Sequence, residues 1–358
     1  MLVLRQLYQQ LLYHVQVLSP QVFFTFMFFH YSICWIGLSL AGESTLTELI
    51  NFIYFCSVVG STVGFGDLSP TTPAGKLFLT FYMIPATIIL YAAGLTKIAW
   101  IFQKMREASI QGERDFSDYT GHVILFGWHP VVSQKTVECV LKDKRRQNGH
   151  IIICSTDKNL THPMLDNPDV RFARVRSYTD DEELKRIALS KANRVMIHAS
   201  NDQDTITIAL KVSPQVKDTC HVVAFFHDES ASQLLDKHCR NVECFSDRTA
   251  EQLARSMQDP GASRGISQLL DPGKGATHYC LVVPDSAPPM KVLNLKLALM
   301  LDYNATLYGI SERRTGDDLR LNPEKDSPIQ AGSYIHYISQ ERLLAEEIDW
   351  EKAARWQL

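Results

Sequence analysis

Charge is spread over this chain too unevenly for a single globular core. The 358 residues include 36 Lys and Arg and 39 Asp and Glu, yet residues 1–96 hold only Arg5, Glu43, Glu48, Asp67 and Lys76. The first quarter is therefore suited to a lipid solvent and the rest to water. The averages hide this split: a net charge of −3 and 46 % hydrophobic residues would fit an ordinary soluble protein. Acidic and basic residues are interleaved and nearly balanced. A nucleic-acid partner, which calls for a basic face, is set aside. The eight cysteines form no C-x-x-C pair and have no His at zinc spacing, which points to free thiols in a reducing cytosol.

No charged residue lies between Gln6 and Gly42, and residues 22–40 are long enough as a helix to cross a hydrocarbon layer of about 30 Å. The run starts too late, and without a basic lead, to be a cleaved signal. Residues 77–96 form a second charge-free run, with Pro85 and Gly94 inside it as candidate hinge points. Leucines separated by glutamines in residues 1–20 predict an amphipathic helix at the membrane surface. Lys97, Lys104 and Arg106 follow the second run, whereas Glu43, Glu48 and Asp67 lie between the two. This asymmetry places both termini on the cytoplasmic side of a plasma membrane.

A third apolar stretch, residues 49–66, lies between the spans, but glycines at 60, 64 and 66 make its second half a poor helix. The pattern predicts a half-helix over about 46–59, capped by Ser44 or Thr45, then extended backbone. Non-helical backbone at membrane depth survives only where it is buried in protein or lines a wet path. The sequence there is Ser-Thr-Val-Gly-Phe-Gly-Asp, residues 61–67. To replace the water shell of a potassium ion, stacked carbonyl oxygens must all face one axis. An ordinary strand points alternate carbonyls to opposite sides, and glycines at 64 and 66 permit the angles that undo this. One loop supplies about one oxygen per ring, so several copies must surround the axis.

Span, half-helix, T-V-G-F-G-D and span resemble the pore of potassium channels. The resemblance implies potassium coordination by Thr62, Val63, Gly64, Phe65 and Gly66, with the Thr62 hydroxyl at the inner end and Asp67 at the outer mouth. It also implies a homotetramer. Phe65 stands where tyrosine is commoner, which removes a hydroxyl tie from the filter to the helices around it. Pro85-Ala86 stands where many relatives place a hinge glycine. No arginine ladder precedes the first span, so no voltage sensor is expected.

After Tyr119, strand-like runs at 121–127, 151–154, 170–175, 194–199, 221–226 and 242–245 alternate with helical stretches. That alternation predicts a parallel, doubly wound α/β sheet of Rossmann type. Residues 247–270 read as two helices broken at Pro260-Gly261, and the remainder as a small α+β unit with a helical tail. The expected division is interfacial helix 1–20, pore domain 21–103, linker 104–118, Rossmann-like subdomain with crossover helices 119–275, C-terminal subdomain 276–345 and tail 346–358. This order is similar to prokaryotic two-span potassium channels gated by a cytoplasmic RCK (regulator of conductance of potassium) domain. That family implies a ring of such domains that opens the pore when a ligand binds the open state better.

The ligand is harder to read. Dinucleotide sites need G-x-G-x-x-G after the first strand, but Gly127-Trp128-His129-Pro130-Val131-Val132 keeps only the first glycine. Cys154-Ser155 occupy the place of the ribose-binding acid, with Asp157 further on, so NAD in its usual pose is disfavoured. Asp202 matches one calcium position of calcium-gated relatives, but Phe225 and His227 replace the other acidic groups, so calcium is disfavoured too. Gly127, Trp128, His129, Ser155, Asp157 and Asp202 remain the candidate regulatory site for a nucleotide, an ion or another effector. Two rival readings follow. One is a weakly selective cation channel; the other is a membrane-anchored Rossmann redox sensor or oxidoreductase, for which neither a full glycine fingerprint nor a Tyr-x-x-x-Lys pair is present. The expectation is a passive channel with no enzymatic chemistry.

Overall fold

The computed structural model describes residues 19–143, 145 and 149–356. The interfacial helix expected over residues 1–20 lies almost wholly outside them. The chain divides into two units, Met1–Glu107 and Ala108–Leu358.

In the first unit, Ser19 caps an outer helix, Pro20–Leu40, by accepting the Val22 N–H, and Pro20 opens the helix where its missing N–H costs nothing. Phe24, Phe26, Phe28 and Phe29 are exposed along it, as a lipid-facing surface requires. One turn, Ser44–Thr47, precedes a short apolar helix, Leu49–Gly60. The predicted cap at Ser44 or Thr45 is corrected here. Glu48 adopts ψ 133, which breaks the helix in two and leaves the longer piece without a side-chain cap. Thr72 caps the next helix, Pro73–Phe78, by accepting the Gly75 N–H.

A five-residue π turn, Leu79–Met83, then leads into a regular helix, Ile84–Gln111. Proline at 85 has no N–H to offer the carbonyl one turn back, and the Ile84 N–H reaches the Leu79 carbonyl in the wider pattern. The helix continues unbroken through Gly94, so the irregularity lies on the N-terminal side of Pro85. Outer and inner helices approach closely at Gly37, where a β-carbon would overlap the Phe78 ring.

The second unit is built on a six-stranded parallel sheet of order β3-β2-β1-β4-β5-β6, formed by β1 Val123–Phe126, β2 Ile151–Ser155, β3 Val170–Arg174, β4 Arg194–Ile197, β5 His221–Phe226 and β6 Val242–Ser246. The central strands β1 and β2 are buried on both faces, which explains their continuous Val/Ile/Leu runs. The connector expected over 104–118 packs on the second unit's own residues. It is helical to Gln111, Phe116 is 1 % exposed in the sheet core, and Arg186 donates to the carbonyls of Gly112, Arg114 and Arg174.

The helices Thr249–Gln258 and Ala262–Leu270 bury none of their residues, and Leu253, Met257 and Leu270 stand exposed. Beyond them lies a four-stranded antiparallel sheet of order β9-β8-β10-β7, with β7 Thr277–Val282, β8 Thr306–Ser311, β9 Arg320–Leu321 and β10 Tyr334–Ser339. The tail does not stand apart from it: Ile348, Trp350 and Ala353 are buried in the same core as Leu295 and Tyr337. The eight cysteines are free, and Cys34, Cys56, Cys154, Cys220 and Cys239 are buried. Burial pushes the Cys220 and Cys280 thiols up to about 11 and Cys244 to about 12.

Candidate functional site: the filter loop and the sheet crevice

Left-handed backbone recurs at every second residue of the loop that follows Gly60: Thr62 has φ 60, Gly64 φ 60 and Gly66 φ 78. Strand geometry would turn successive carbonyls to opposite sides, whereas alternating the hand of φ returns them to one side. Two of the three positions are glycines, which tolerate this at no steric cost. Val63 and Phe65 project away and are 56 % and 69 % exposed in the single chain.

Two carboxylates brace the loop. Asp67 accepts a 2.7 Å hydrogen bond from the Tyr54 hydroxyl on the short apolar helix. The tie that Phe65 cannot make is thus replaced by one at the outer end of the loop. Glu43, 4 % exposed, accepts the N–H groups of Thr71 (2.8 Å) and Thr72 (2.7 Å) and both their hydroxyls. This fixes the segment leaving the loop to the end of the outer helix. Gly75 leaves room for that carboxylate, since a β-carbon there would stand 2.5 Å from Oε1.

The candidate regulatory residues all lie at the carboxyl ends of strands, around the β1/β4 switch point where doubly wound sheets bind ligands. Gly127 ends β1 at φ 91 with its α-carbon against the His198 carbonyl, so strand packing already demands glycine there. Trp128 turns onto the cluster of Val123, Leu125 and Val137. The His129 Nε2 lies 3.1 Å from the carbonyls of His198 and Ala199, and its ring stacks on His198 at 3.9 Å. That contact ties the end of β1 to the end of β4.

Ser155 is buried and accepts the Asp157 N–H, 3.2 Å away. Asp202 accepts the N–H groups of His227 (3.0 Å) and Asp228 (2.8 Å), so its carboxylate organises the loop after β5. Ser155 and Asp157 therefore group at β2, apart from the hydrogen bonds that join His129 to β4 and Asp202 to the β5 loop. Among the described residues no group of three or more His, Cys, Asp or Glu is placed to hold a metal ion.

His198 is the group the sequence reading missed. It is 4 % exposed, both ring nitrogens lack partners, and it is enclosed by His129, Phe225 and His227. Desolvation, then the neighbouring His129 and His227, lower its pKa to about 4, with Asp202 opposing. The unfolded chain then takes up this proton first as pH falls below about 6.5, and stability is lost progressively down to about 4. The expected loss is about 3 kcal/mol across that window. Thermal melting of the full chain should fall steeply between pH 7 and 4.5, and His198→Phe should flatten the dependence. An unchanged slope in the variant would contradict it.

Two apolar helices long enough to span a bilayer, Pro20–Leu40 and Pro73–Gln111, enclosing a shorter one and a loop of alternating hand, define an ion-channel pore domain. Residues 21–108 match the family Ion_trans_2, described as ion channel. YugO of Bacillus subtilis is 28 % identical over 294 residues, covering 75 % of this chain and 80 % of its own. Potassium channel protein 1 of Methanocaldococcus jannaschii is 24 % identical over 308 residues, covering 81 % and 85 %. The structure of the GsuK channel bound to NAD superposes with a TM-score of 0.42 at 16 % identity, over 89 % of this chain but only 56 % of the longer GsuK chain. Residues 21–108 thus match an ion-channel pore, and over most of its length the chain is similar to prokaryotic potassium channels. The family matched over residues 21–108 is one of ion channels.

Proposed function

We propose that this chain is one subunit of a homotetrameric, potassium-selective channel of the plasma membrane, with both termini cytoplasmic. Carbonyls of Thr62, Val63, Gly64 and Phe65, with the Thr62 hydroxyl, take the place of the ion's water, and Asp67 marks the outer mouth. The observation that carries this is the alternation of left-handed φ at 62, 64 and 66. The exposed Val63 and Phe65 support the tetramer, because one chain offers neither a closed ring of oxygens nor packing for those side chains. The test is flux into liposomes with reversal potentials in mixed sodium and potassium. Equal permeation of the two ions would favour the weakly selective cation channel instead.

Gating is assigned to a ring of the C-terminal domains, driven by an effector at the carboxyl ends of β1, β2 and β4. Nucleotides, divalent ions and pH are to be screened on the same flux. The uncovered apolar face of Thr249–Gln258 and Ala262–Leu270 suits a second copy of the chain, since its mate must be equally apolar and such oligomers close by symmetry. Leu253→Asp combined with Met257→Asp should abolish the response to whichever effector the screen identifies while leaving potassium selectivity intact. Full effector response in that variant would remove this surface from the ring.

A further inference from the structure

Both the outer helix and the π turn of the inner helix place polar groups where lipid would tolerate few. His30, 9 % exposed on Pro20–Leu40, has its Nε2 3.0 Å from the Thr87 hydroxyl, and Thr87 is fully buried. The same nitrogen lies 3.6 Å from the Cys34 sulfur. The His30 ring also packs on Tyr82, with centroids 5.8 Å apart. Tyr82 belongs to the π turn Leu79–Met83 and Thr87 to the regular helix after Pro85. One side chain of the outer helix thus touches the inner helix on both sides of its proline break.

We propose that His30 is a positioning residue for gating, splinting the proline break by its contact with Tyr82 before it and its hydrogen bond to Thr87 after it. A proline break removes a backbone hydrogen bond, so the angle between its two halves is set by side-chain contacts and not by the helix ladder. The His30–Thr87 bond is such a contact, and breaking it takes that partner from the buried Thr87 hydroxyl and leaves His30 only the weak Cys34 sulfur. The conformation that keeps the bond is therefore favoured over any in which the lower inner helix swings away. None of these contacts involves the filter loop 61–67, so the splint acts on how often the pore is open and not on what passes through. This inference rests on the channel reading above.

The experiment records single full-length channels in planar bilayers in symmetric potassium. His30→Phe keeps the ring against Tyr82 and removes the bond, Thr87→Val removes the hydroxyl, and Thr87→Ser retains it. His30→Phe and Thr87→Val should each change open probability by about tenfold in the same direction. The double variant should change no further, and Thr87→Ser should stay near wild type, with unit conductance and potassium selectivity constant throughout. Wild-type gating in both single variants, additive effects in the double, or a Thr87→Ser channel as altered as Thr87→Val would each overturn the splint. Loss of potassium selectivity in the wild-type chain would instead strike the channel reading. Should His30→Phe not assemble, the contrast between Thr87→Val and Thr87→Ser decides alone.

Discussion

Potassium flux through Gly64→Ala is expected to vanish while the protein still assembles. Gly64 has φ 60, and no atom lies within 4 Å of where its β-carbon would stand. The objection to alanine is therefore conformational and not one of space. An L-residue held in left-handed backbone costs about 1–2 kcal/mol, and a fourfold pore incurs this in every subunit. Relaxing the substituted residue to negative φ turns a carbonyl away from the axis and removes one ring of oxygens. Potassium or rubidium uptake by liposomes carrying the variant reads the outcome directly, and retained selective uptake would refute the filter assignment.

Glu43→Ala comes next in size. It strips a buried acceptor from two backbone N–H groups and two hydroxyls, and each unsatisfied amide costs about 1–3 kcal/mol. The segment from Asp67 to Thr72 then loses its anchor to the outer helix, and flux should fall by about tenfold or more, with a lower melting temperature. Glu43→Gln should behave quite differently. Oε1 alone accepts both N–H groups and the Thr72 hydroxyl, so a glutamine carbonyl oxygen in that place preserves them, and its amide can donate to the Thr71 hydroxyl. Flux near wild type for glutamine and loss for alanine is the expected pair. Equal loss in both would mean that charge, and not hydrogen bonding, holds the mouth.

The strands of the parallel sheet and the loop at 61–67 were readable in the sequence because their signals are local. Continuous apolar runs mark strands buried on both faces, and paired glycines mark backbone of unusual hand. What escaped was set by partners far apart along the chain. Glu43 meets Thr72 across 29 residues, Tyr54 meets Asp67 across 13, and His30 meets Thr87 across 57. Each side chain taken alone suits an ordinary loop or lipid-facing helix. The seating of the connector escaped for a similar reason: Phe116 and the Arg186 guanidinium hold it on the domain, and neither contact is recognisable without the sheet. The seating of the tail escaped because Ile348, Trp350 and Ala353 are isolated apolar anchors in a charged stretch, which is enough once a core stands beside them.

The state of the cysteines has a practical consequence. A thiol reacts with maleimides through its thiolate, and burial that holds Cys220, Cys244 and Cys280 at about 11 to 12 leaves almost none of that form at neutral pH. Those three thiols are thus slow toward such reagents, and half-buried Cys139 is the residue to replace first. A single new cysteine on the exposed face of Thr249–Gln258 would then carry a fluorophore alone, and movement in a working channel could be followed by light without rebuilding its interior.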